Sequence, residues 1–176
     1  MTQKNVTQKN KEPAVSLRWI TTRHFPYAAS GALPAGRDVL IGVGGNVGDV
    51  PGRLERLWRY WQQSAQVAIV RTSPILINPP FGYLEQPDFY NAVVWIRTGL
   101  DPHALLRYIL YTEKRFGRKR SFANAPRTLD LDMIFYDNTR MKTSRLDLPH
   151  PHWMERDSVV MPLMQLKGDP WSKRVL

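Results

Sequence analysis

The sequence predicts an α+β fold in which helices pack against an antiparallel sheet. Three observations support this class: short segments alternate apolar and polar residues, longer segments repeat apolar residues at helical spacing, and turn residues separate the two kinds. The chain has 176 residues, 43% of them apolar, which is enough for one domain with a buried core. We divide it into a basic N-terminal extension, residues 1–36, and a main domain, residues 37–176.

The first half of the main domain predicts two strands and a helix. Val39–Val43 is an apolar run that ends at two glycines, which is typical of a buried strand. Asp49 and Pro51 are helix-start residues, and apolar residues recur after them at helical spacing. Val67–Arg71 predicts a second strand. Residues 73–87 hold four prolines, so we expect a long loop without regular structure.

The second half repeats this pattern. Phe89–Arg97 alternates and is rich in β-branched and aromatic residues, which predicts a third strand. Asp101 and Pro102 begin a second helix, and residues 117–125 form a basic loop. Leu129–Tyr136 alternates strictly and predicts a fourth strand. The resulting order, β-α-β-β-α-β, is that of ferredoxin-like folds.

The N-terminal extension, residues 1–36, shows no sustained periodicity. Its lysines and arginines are typical of a solvated tail. We nevertheless expect part of it to be ordered through four apolar side chains. These are Trp19, Ile20, Phe25 and Tyr27.

Composition and charge indicate the cellular environment of the protein and the classes of ligand that it can bind. No run of eighteen apolar residues is present, residues 1–12 lack the apolar segment of a secretory signal, and cysteine is absent. We therefore expect a cytoplasmic protein without a membrane partner, disulfides or thiolate metal sites. The formal net charge of +10 favours a polyanionic ligand, such as nucleic acid or a nucleotide triphosphate.

Two aspartates on the fourth predicted strand form the most informative pattern. Alternate residues of a strand share a face, so Asp130 and Asp132 lie on one side and the apolar residues point into the core beneath the helices. Those apolar residues are Leu129, Leu131, Met133 and Phe135. Adjacent carboxylates raise each other's pKa unless a cation lies between them, and Mg²⁺ combines carboxylates with substrate phosphates. Taken alone, the pattern is also typical of two aspartates that face water.

Arginines flank the acidic pair and favour the metal-binding interpretation. Arg127 precedes the pair, and we expect it on the same side of the sheet. Arg118 and Arg120 lie upstream on the basic loop, where they can close over a phosphate. Magnesium together with guanidinium groups provides what phosphoryl transfer needs, because these cations stabilise the charge that develops on the bridging oxygen. We therefore predict a magnesium-dependent phosphoryl-transfer site.

The segment Pro126–Asp132 resembles the signature of the 6-hydroxymethyl-7,8-dihydropterin pyrophosphokinases of folate biosynthesis. Ordered matches extend the resemblance over residues 39–166, and they are Gly44-Gly45-Asn46, Pro79-Pro80-Phe81, Gln86-Pro87-Asp88-Phe89, Asn91, Glu113, Gly117-Arg118, Pro149-His150, Arg156 and Pro162-Leu163. The resemblance implies transfer of pyrophosphate from ATP, as co-substrate, to the hydroxymethyl group of the dihydropterin, with release of AMP. It also implies two magnesium ions.

The same resemblance implies roles for individual residues. Asp130 and Asp132 bind the metal ions and form the catalytic group together with Arg118 and Arg127. The residues implied in ATP binding are Glu113, Arg118, Arg127, His150 and Arg156. The residues implied in pterin binding are Asn78, Phe81, Phe89 and Asn91. These residue types agree with the ligand, because an aromatic ring stacks on a flat heterocycle and an asparagine amide both donates to and accepts from its edge.

Two departures from the family pattern leave alternatives open. Ser158 stands where the family has a second aromatic residue against the pterin. The residues that could replace that ring are Trp153, His152 and Phe122. Asn124-Ala125 replaces a tryptophan-glycine pair, and the basic loop is one residue shorter. An inactive or weakened pterin- or nucleotide-binding homologue of the same fold is therefore the alternative function.

An RNA-binding protein is a third hypothesis, suggested by the net charge and by Tyr90 and Trp95 on a predicted sheet. The sequence lacks the basic-aromatic strand motif of such proteins, and Asp130 and Asp132 would repel phosphate without a bound metal. We therefore expect ATP and a dihydropterin alcohol as ligands, no nucleic-acid partner, and a monomer.

Overall fold

The computed structural model describes residues 17–80, 82–119, 122 and 124–174. Within these residues the strands are β1 (Arg18–Ile20), β2 (Tyr27–Ala28), β3 (Arg37–Gly45), β4 (Val67–Thr72), β5 (Ile75–Asn78), β6 (Phe89–Thr98), β7 (Asp130–Tyr136), β8 (Met141–Lys142) and β9 (Asp147–Leu148). The helices are α1 (Val50–Gln62), α2 (Pro102–Arg115) and α3 (Asp157–Met164), with 3₁₀ turns at Trp153–Glu155 and Ser172–Arg174.

Seven of these strands form one antiparallel sheet, and β8 pairs with β9 beside it. The order is β1-β5-β6-β3-β7, while β4 pairs with the second half of β6 and β2 pairs with β4. The succession β3-α1-β4-β6-α2-β7 is the predicted βαββαβ order. The predicted α+β class, with an antiparallel sheet packed against helices, is confirmed.

Helices α1 and α2 cover one side of the sheet, which we call the α1/α2 face. Both begin as predicted, because Asp49 Oδ1 accepts from Gly52 N and Asp101 Oδ1 accepts from Ala104 N, each at 2.9 Å. Their apolar stripes pack on the sheet, and the buried helix residues of this core include Leu54, Leu57, Trp61, Leu105 and Ile109. No helix in the described part of the chain is long and apolar enough to span a membrane.

Helix α3 and the segment after it cover part of the opposite side, which we call the α3 face. The buried residues of this second core are Leu40, Val93, Ile134, Phe135, Trp153, Val159, Leu163, Leu166 and Trp171. Further along β3, toward Gly45, the α3 face carries glycines and polar side chains instead of apolar ones. This end of the α3 face contains the candidate site.

A β-bulge in β7 corrects the predicted alternation. Leu40 lies opposite Phe135 and Ile41 opposite Met133, so Ile134 is an extra residue in the ladder. The bulge turns Phe135 to the α3 face, where it packs with Ile134, and Tyr136 to the α1/α2 face. The prediction that Phe135 points beneath α1 and α2 is therefore wrong, while Leu129, Leu131 and Met133 do point there.

The predicted loop 73–87 is wrong in its first part, because Ile75–Asn78 forms β5 against β6. The two prolines at 74 and 79 flank this strand instead of interrupting it, and its three apolar residues are buried. Ser73 Oγ accepts from Val93 N at 3.0 Å. This bond continues the ladder across the bend between β4 and β5.

Residues 17–36 pack on the main domain through two short strands. β1 pairs with β5, and β2 pairs with β4. Phe25 is buried in the α1/α2 core, and Ile20 and Tyr27 pack against it as expected, whereas Trp19 is 38% exposed. The division of the chain at residue 36 stays a prediction.

Candidate active site

Asp130 and Asp132 lie at the start of β7, on the α3 face. In the pairing of β7 with β3, Asp130 lies opposite Gly44 and Asp132 opposite Gly42. Because facing residues of paired strands point to the same side, the two carboxylates border a strip of β3 without side chains. The register therefore places both acids on one side of the sheet, away from α1 and α2.

Gly44 separates the acidic pair from the amide of Asn91. Asn91 of β6 faces Gly44 from the other side of β3, so Asp130, Gly44 and Asn91 form one row across three strands. Strand spacing puts the ends of this row about 10 Å apart. A Cβ atom at Gly44 would collide with Asn91 Oδ1 and lie 2.9 Å from Tyr90 O. Only glycine leaves the Asn91 amide this space above β3.

Three of the predicted pterin residues meet where β5 pairs with β6. Asn78 lies opposite Phe89, and Asn91 Nδ2 donates to Asn78 Oδ1 at 2.8 Å. The guanidinium carbon of Arg127 lies 5.2 Å from the centroid of the Phe89 ring, a cation–π arrangement. The structure thus brings Asn78, Phe89 and Asn91 together, while Phe81 lies outside the described residues.

Two arginines from different loops converge on Asp130. Arg118 follows α2, pairs with Asp130 Oδ1 and donates to Leu129 O at 3.0 Å. Arg127 precedes β7 and donates from Nη1 to Asp130 Oδ2 at 2.8 Å. Arg127 therefore lies on the side of the acids, as predicted, although it reaches them through a loop. Burial lowers the pKa of Arg118, but the charges of Asp130 and Glu113 outweigh this effect and raise it.

Glu113 supports this arrangement from α2. Its side chain is 3% exposed, and Oε1 accepts from Leu131 N at 2.8 Å and from Arg118 Nη1 at 3.2 Å. One buried carboxylate oxygen thus fixes both the start of β7 and the guanidinium of Arg118. The contact of Glu113 with ATP stays a prediction. Arg120, which we expect on a loop that can close over a phosphate, lies outside the described residues.

Asp132 lies beside Arg156 and His150. Arg156 Nη1 is 3.4 Å from Asp132 Oδ2, and His150 N donates to Ile134 O at 2.9 Å, which places the histidine along β7. The side chain of Asp132 keeps 39% of its surface exposed, yet burial, followed by the charge of Asp130, raises its pKa. Burial lowers the pKa of His150 against the attraction of Asp132. Both groups are thus disfavoured in their charged forms.

Two predicted ATP-binding side chains carry buried nitrogen atoms without a hydrogen-bond partner among the described residues. These atoms are Arg127 Nε and His150 Nδ1. A buried polar atom without a partner costs about 1–3 kcal/mol, and a ligand that supplies an acceptor at this position would offset that cost. A phosphate oxygen can accept from Arg127 Nε, and it can accept from His150 Nδ1 in the tautomer that is protonated there.

The residues present fit a magnesium site that is shared with a substrate. Asp130 and Asp132 present carboxylate oxygens on one face, and a divalent cation would relieve the raised pKa of Asp132. Mg²⁺ combines one or two carboxylates with phosphate oxygens and water. The arginines that pair with Asp130 in the structure are the ones predicted to bind phosphate. If ATP bound here, the guanidinium groups could pair with its phosphates and Mg²⁺ could pair with the carboxylates.

The structure reduces the candidates for the second pterin-facing ring. Trp153 is buried against Phe135, with ring centroids 4.8 Å apart, so it belongs to the α3-face core. His152 pairs with Glu155 at 3.0 Å on the surface. Phe122 is 60% exposed, and its ring meets Tyr83 edge-on at 5.7 Å. Phe122 and His152 are the candidates with an accessible ring, and the contact of either with the pterin stays a prediction.

The aromatic residues that suggested RNA binding do not form a common surface. Tyr90 packs against the α1/α2 core, whereas Trp95 packs against the α3-face core and donates from Nε1 to Asp38 Oδ1 at 2.9 Å. Their rings lie on opposite sides of the sheet. A stacking platform of the kind that the RNA-binding hypothesis requires is therefore not built from these two residues.

Asn46 and Gln86 are site residues to which the sequence pattern assigned no role. Asn46 directly follows β3 and is 3% exposed, and its Nδ2 donates to Gln86 Oε1 at 2.8 Å. The signal was the asparagine after two glycines at the end of a buried strand. A polar residue in that position marks a turn that needs hydrogen bonds, but the sequence does not show where its partner lies.

The fold and the arrangement of acids and arginines define a phosphoryl-transfer enzyme, and comparisons with known proteins support this class. Residues 40–168 match the family model described as 7,8-dihydro-6-hydroxymethylpterin-pyrophosphokinase (HPPK). A 2-amino-4-hydroxy-6-hydroxymethyldihydropteridine pyrophosphokinase of Helicobacter pylori is 40% identical over 146 residues, which cover 82% of this chain and 90% of the relative. Its counterpart in Campylobacter jejuni is 41% identical over 142 residues, covering 81% and 90%. One of Bacillus subtilis is 35% identical over 126 residues, covering 72% and 75%.

The chain therefore belongs to the 7,8-dihydro-6-hydroxymethylpterin pyrophosphokinase family. The predicted family, the kinase class of transferases and the pyrophosphokinase function in folate biosynthesis are confirmed at this level, and the family implies ATP as co-substrate. The metal ions and the role of each site residue stay predictions.

Proposed function

We propose that this protein transfers the β,γ-pyrophosphoryl group of ATP to the hydroxymethyl oxygen of 6-hydroxymethyl-7,8-dihydropterin, with Mg²⁺ bound at Asp130 and Asp132. The observation that supports the proposal is the row Asp130–Gly44–Asn91, in which a carboxylate and an asparagine amide lie on one face of the sheet. In the reaction, the pterin oxygen bonds to the β-phosphorus and its proton is released. The bond from the β-phosphorus to the bridging oxygen breaks, and AMP leaves with that oxygen.

Asp130 and Asp132 are the residues that would hold two magnesium ions. Magnesium supplies charge neutralisation on the triphosphate, which lets the pterin hydroxyl approach the β-phosphorus. The carboxylates contribute oxygen ligands on one face, and Glu113 keeps the start of their strand in place through Leu131 N.

Arg118 and Arg127 stabilise negative charge by changing partners. In the structure both guanidinium groups pair with Asp130. Cations held by the acidic pair would compete with the guanidinium groups for the carboxylate, and Arg118 and Arg127 would then be available to donate to the phosphates. Arg127 Nε, which is buried without a partner among the described residues, gains one in this state. Arg156, beside Asp132, extends the same positive surface toward ATP, and the neutral ring of His150 offers an N–H donor there.

Pterin recognition falls to the β5–β6 side of the site. The amides of Asn78 and Asn91 are already hydrogen-bonded to each other, so their orientation is fixed before the ring binds. Phe89 offers an aromatic surface that Arg127 covers in the structure. The movement of Arg127 to the phosphates therefore uncovers the stacking ring, and Phe122 is the proposed second aromatic contact.

The decisive experiment is to incubate the purified protein with ATP, Mg²⁺ and 6-hydroxymethyl-7,8-dihydropterin and to identify the nucleotide product. We expect AMP, and we expect EDTA to abolish its formation. ADP as the product would contradict the proposal, because it indicates transfer of a single phosphoryl group. Pterin binding without AMP would instead support the inactive homologue. A cytoplasmic location, a monomeric state and the lack of a nucleic-acid partner stay predictions.

A further inference from the structure

Asn46 ties the end of β3 to the loop that carries Arg127. Asn46 Oδ1 accepts from Arg127 N at 2.9 Å, and Asn46 N donates to Arg127 O at the same distance. The side chain is almost completely buried at 3% exposure. A buried, two-way pairing of this kind fixes the backbone of Arg127, and therefore the origin of the guanidinium that reaches Asp130.

The other end of the same amide reaches the loop before Phe89. Asn46 Nδ2 donates to Gln86 Oε1 at 2.8 Å and to Pro87 O at 3.1 Å. Gln86 Nε2 in turn donates to Tyr83 O at 2.6 Å and to Asn124 O at 3.1 Å. The hydrogen bonds therefore run from Arg127 N through Asn46 and Gln86 to Asn124 O, which belongs to the same loop as Arg127.

This closed path depends on both side chains being amides. Each amide accepts at its oxygen and donates from its nitrogen, and a carboxylate of the same shape cannot donate. The two loops also approach closely at Gly82, where a Cβ atom would lie 2.8 Å from Asn124 Nδ2 and where φ is +82°. The path therefore joins the loop before Phe89 and the loop of Arg127 into one unit.

We propose that Asn46 and Gln86 are positioning residues that hold the pterin-stacking side of the site and its phosphate-binding side at a fixed separation. The inference rests on the proposed function. Asn46 and Gln86 act through Phe89 and Arg127. Phe89 lies two residues beyond Pro87, whose carbonyl Asn46 holds, and Arg127 is held through its backbone. A fixed separation matters because in-line transfer requires the pterin oxygen and the β-phosphorus to meet in one geometry.

The main test is Asn46→Asp, which keeps an oxygen for Arg127 N but puts a carboxylate against Gln86 Oε1 and Pro87 O. We expect the affinity for 6-hydroxymethyl-7,8-dihydropterin, measured by fluorescence titration, to fall about tenfold or more, because a donor has become a repulsive acceptor. The affinity for Mg²⁺ with α,β-methylene-ATP should stay within about twofold. Gln62→Glu, an equal change on the exposed part of α1, is the matched control and should change neither affinity.

Gln86→Glu tests the second half of the path. It keeps the acceptor for Asn46 and removes the donor to Asn124 O. In the ligand-free protein, we expect amide hydrogen exchange of Asn124, Ala125 and Arg127 to accelerate at least fivefold. Both substitutions interrupt the same hydrogen-bond path, so their effects should not add. We expect the pterin affinity of the double variant to be at most about twofold lower than that of the single variant with the lower affinity.

Three outcomes would overturn the inference. They are wild-type pterin affinity in Asn46→Asp, an equal loss of pterin and nucleotide affinity together with a lower Tm, and unchanged amide exchange of Asn124, Ala125 and Arg127 in Gln86→Glu. The exchange measurement needs no ligand, so it judges the coupling of the loops even if the wild-type protein releases no AMP. Absence of AMP with accelerated exchange would count against the proposed function alone.

Discussion

Glu55 on α1 and Asp132 on β7 are both partly enclosed carboxylates, but their surroundings shift their pKa values in opposite directions. Glu55 faces the N-terminal segment, and Asp132 faces the candidate site. In Glu55, groups of the protein itself stabilise the ionised carboxylate. In Asp132, they do not stabilise it enough to offset burial and the charge of Asp130. This contrast therefore identifies which acidic group is available to an external cation.

Glu55 has hydrogen bonds on both oxygens. Oε1 accepts from Thr22 Oγ1 at 2.6 Å and from His24 N at 2.8 Å, and Oε2 lies 2.7 Å from His24 Nδ1. The His24 ring also stacks on Trp58, with centroids 3.7 Å apart. Burial alone would raise the pKa of Glu55, but these hydrogen bonds outweigh it and lower the pKa. The folded state thus stabilises the ionised form.

Asp132 has the reverse balance. Burial and the neighbouring charge of Asp130 raise its pKa, and the attraction of His150 and Arg156 does not compensate. Arg156 approaches no closer than 3.4 Å in the contact with Asp132 Oδ2. An acid whose ionised form is disfavoured in the free protein gains most from a cation that arrives with the substrate.

Asp132→Asn is the substitution with the largest expected effect, and it tests whether Asp132 is the acid available to a cation. We expect AMP release to fall about 1,000-fold or more, because several kcal/mol of metal stabilisation are lost. The Tm should be unchanged or slightly higher, since an unfavourable charge is removed. Steady-state AMP release and thermal unfolding measure the two effects.

Asp137→Asn is the matched control for this substitution. Asp137 follows the opposite end of β7, where Oδ1 accepts from Asp38 N at 2.8 Å and Oδ2 pairs with Arg37. We expect wild-type activity from this variant. If Asp132→Asn kept wild-type activity, the acidic pair would not be a cation site.

Gly44→Ala tests whether the space beside the acids belongs to the Asn91 amide. The new Cβ would collide with Asn91 Oδ1, so we expect a weakening of pterin affinity of about tenfold or more, together with a loss of stability of about 1–3 kcal/mol. Gly42→Ala is the control on the same strand and face, because its Cβ would meet Ile134 Cδ1 at an ordinary 3.4 Å. Equal pterin affinities in the two variants would show that Asn91 does not read the ring.

The elements of the fold could be predicted where one local rule dominates. Asp49 and Asp101 cap their helices as expected, because capping depends on a few neighbouring residues. Strand β5 was missed because prolines 74 and 79 suggested a loop, although they only flank the strand. The strict alternation expected for Leu129–Tyr136 holds only as far as Met133, because every residue from Met133 to Tyr136 is apolar. No pattern in this stretch reveals the register shift at Ile134.

In the candidate site, too, features set by local rules could be predicted and features set by tertiary contacts could not. Asp130 and Asp132 could be placed on one face because strand alternation is local. The pairing of Asn46 with Gln86 could not, because it joins loops that are 40 residues apart and depends on how β3 lies beside β6. Tertiary contacts of this kind leave no periodic signal in the sequence.

Glu55→Gln tests whether the hydrogen bonds to ionised Glu55 stabilise the fold, and it has the smallest expected effect. At pH 7 we expect the free energy of unfolding to fall by about 1 kcal/mol, because a charge-assisted network becomes a neutral one. A carboxyl whose folded pKa is lowered stabilises the protein above its ordinary value of 4.5, and this contribution is lost as the pH falls through the folded value. The difference in unfolding free energy between the variant and the wild type should therefore shrink below pH 4.5 in urea unfolding.

Glu155→Gln is the control, because it breaks another His–Glu pair, whose glutamate is 74% exposed. It should change stability by no more than a few tenths of a kcal/mol. If the two variants were equally stable at pH 7, the network around Glu55 would contribute no more than a surface ion pair, and the contrast with Asp132 would rest on burial alone.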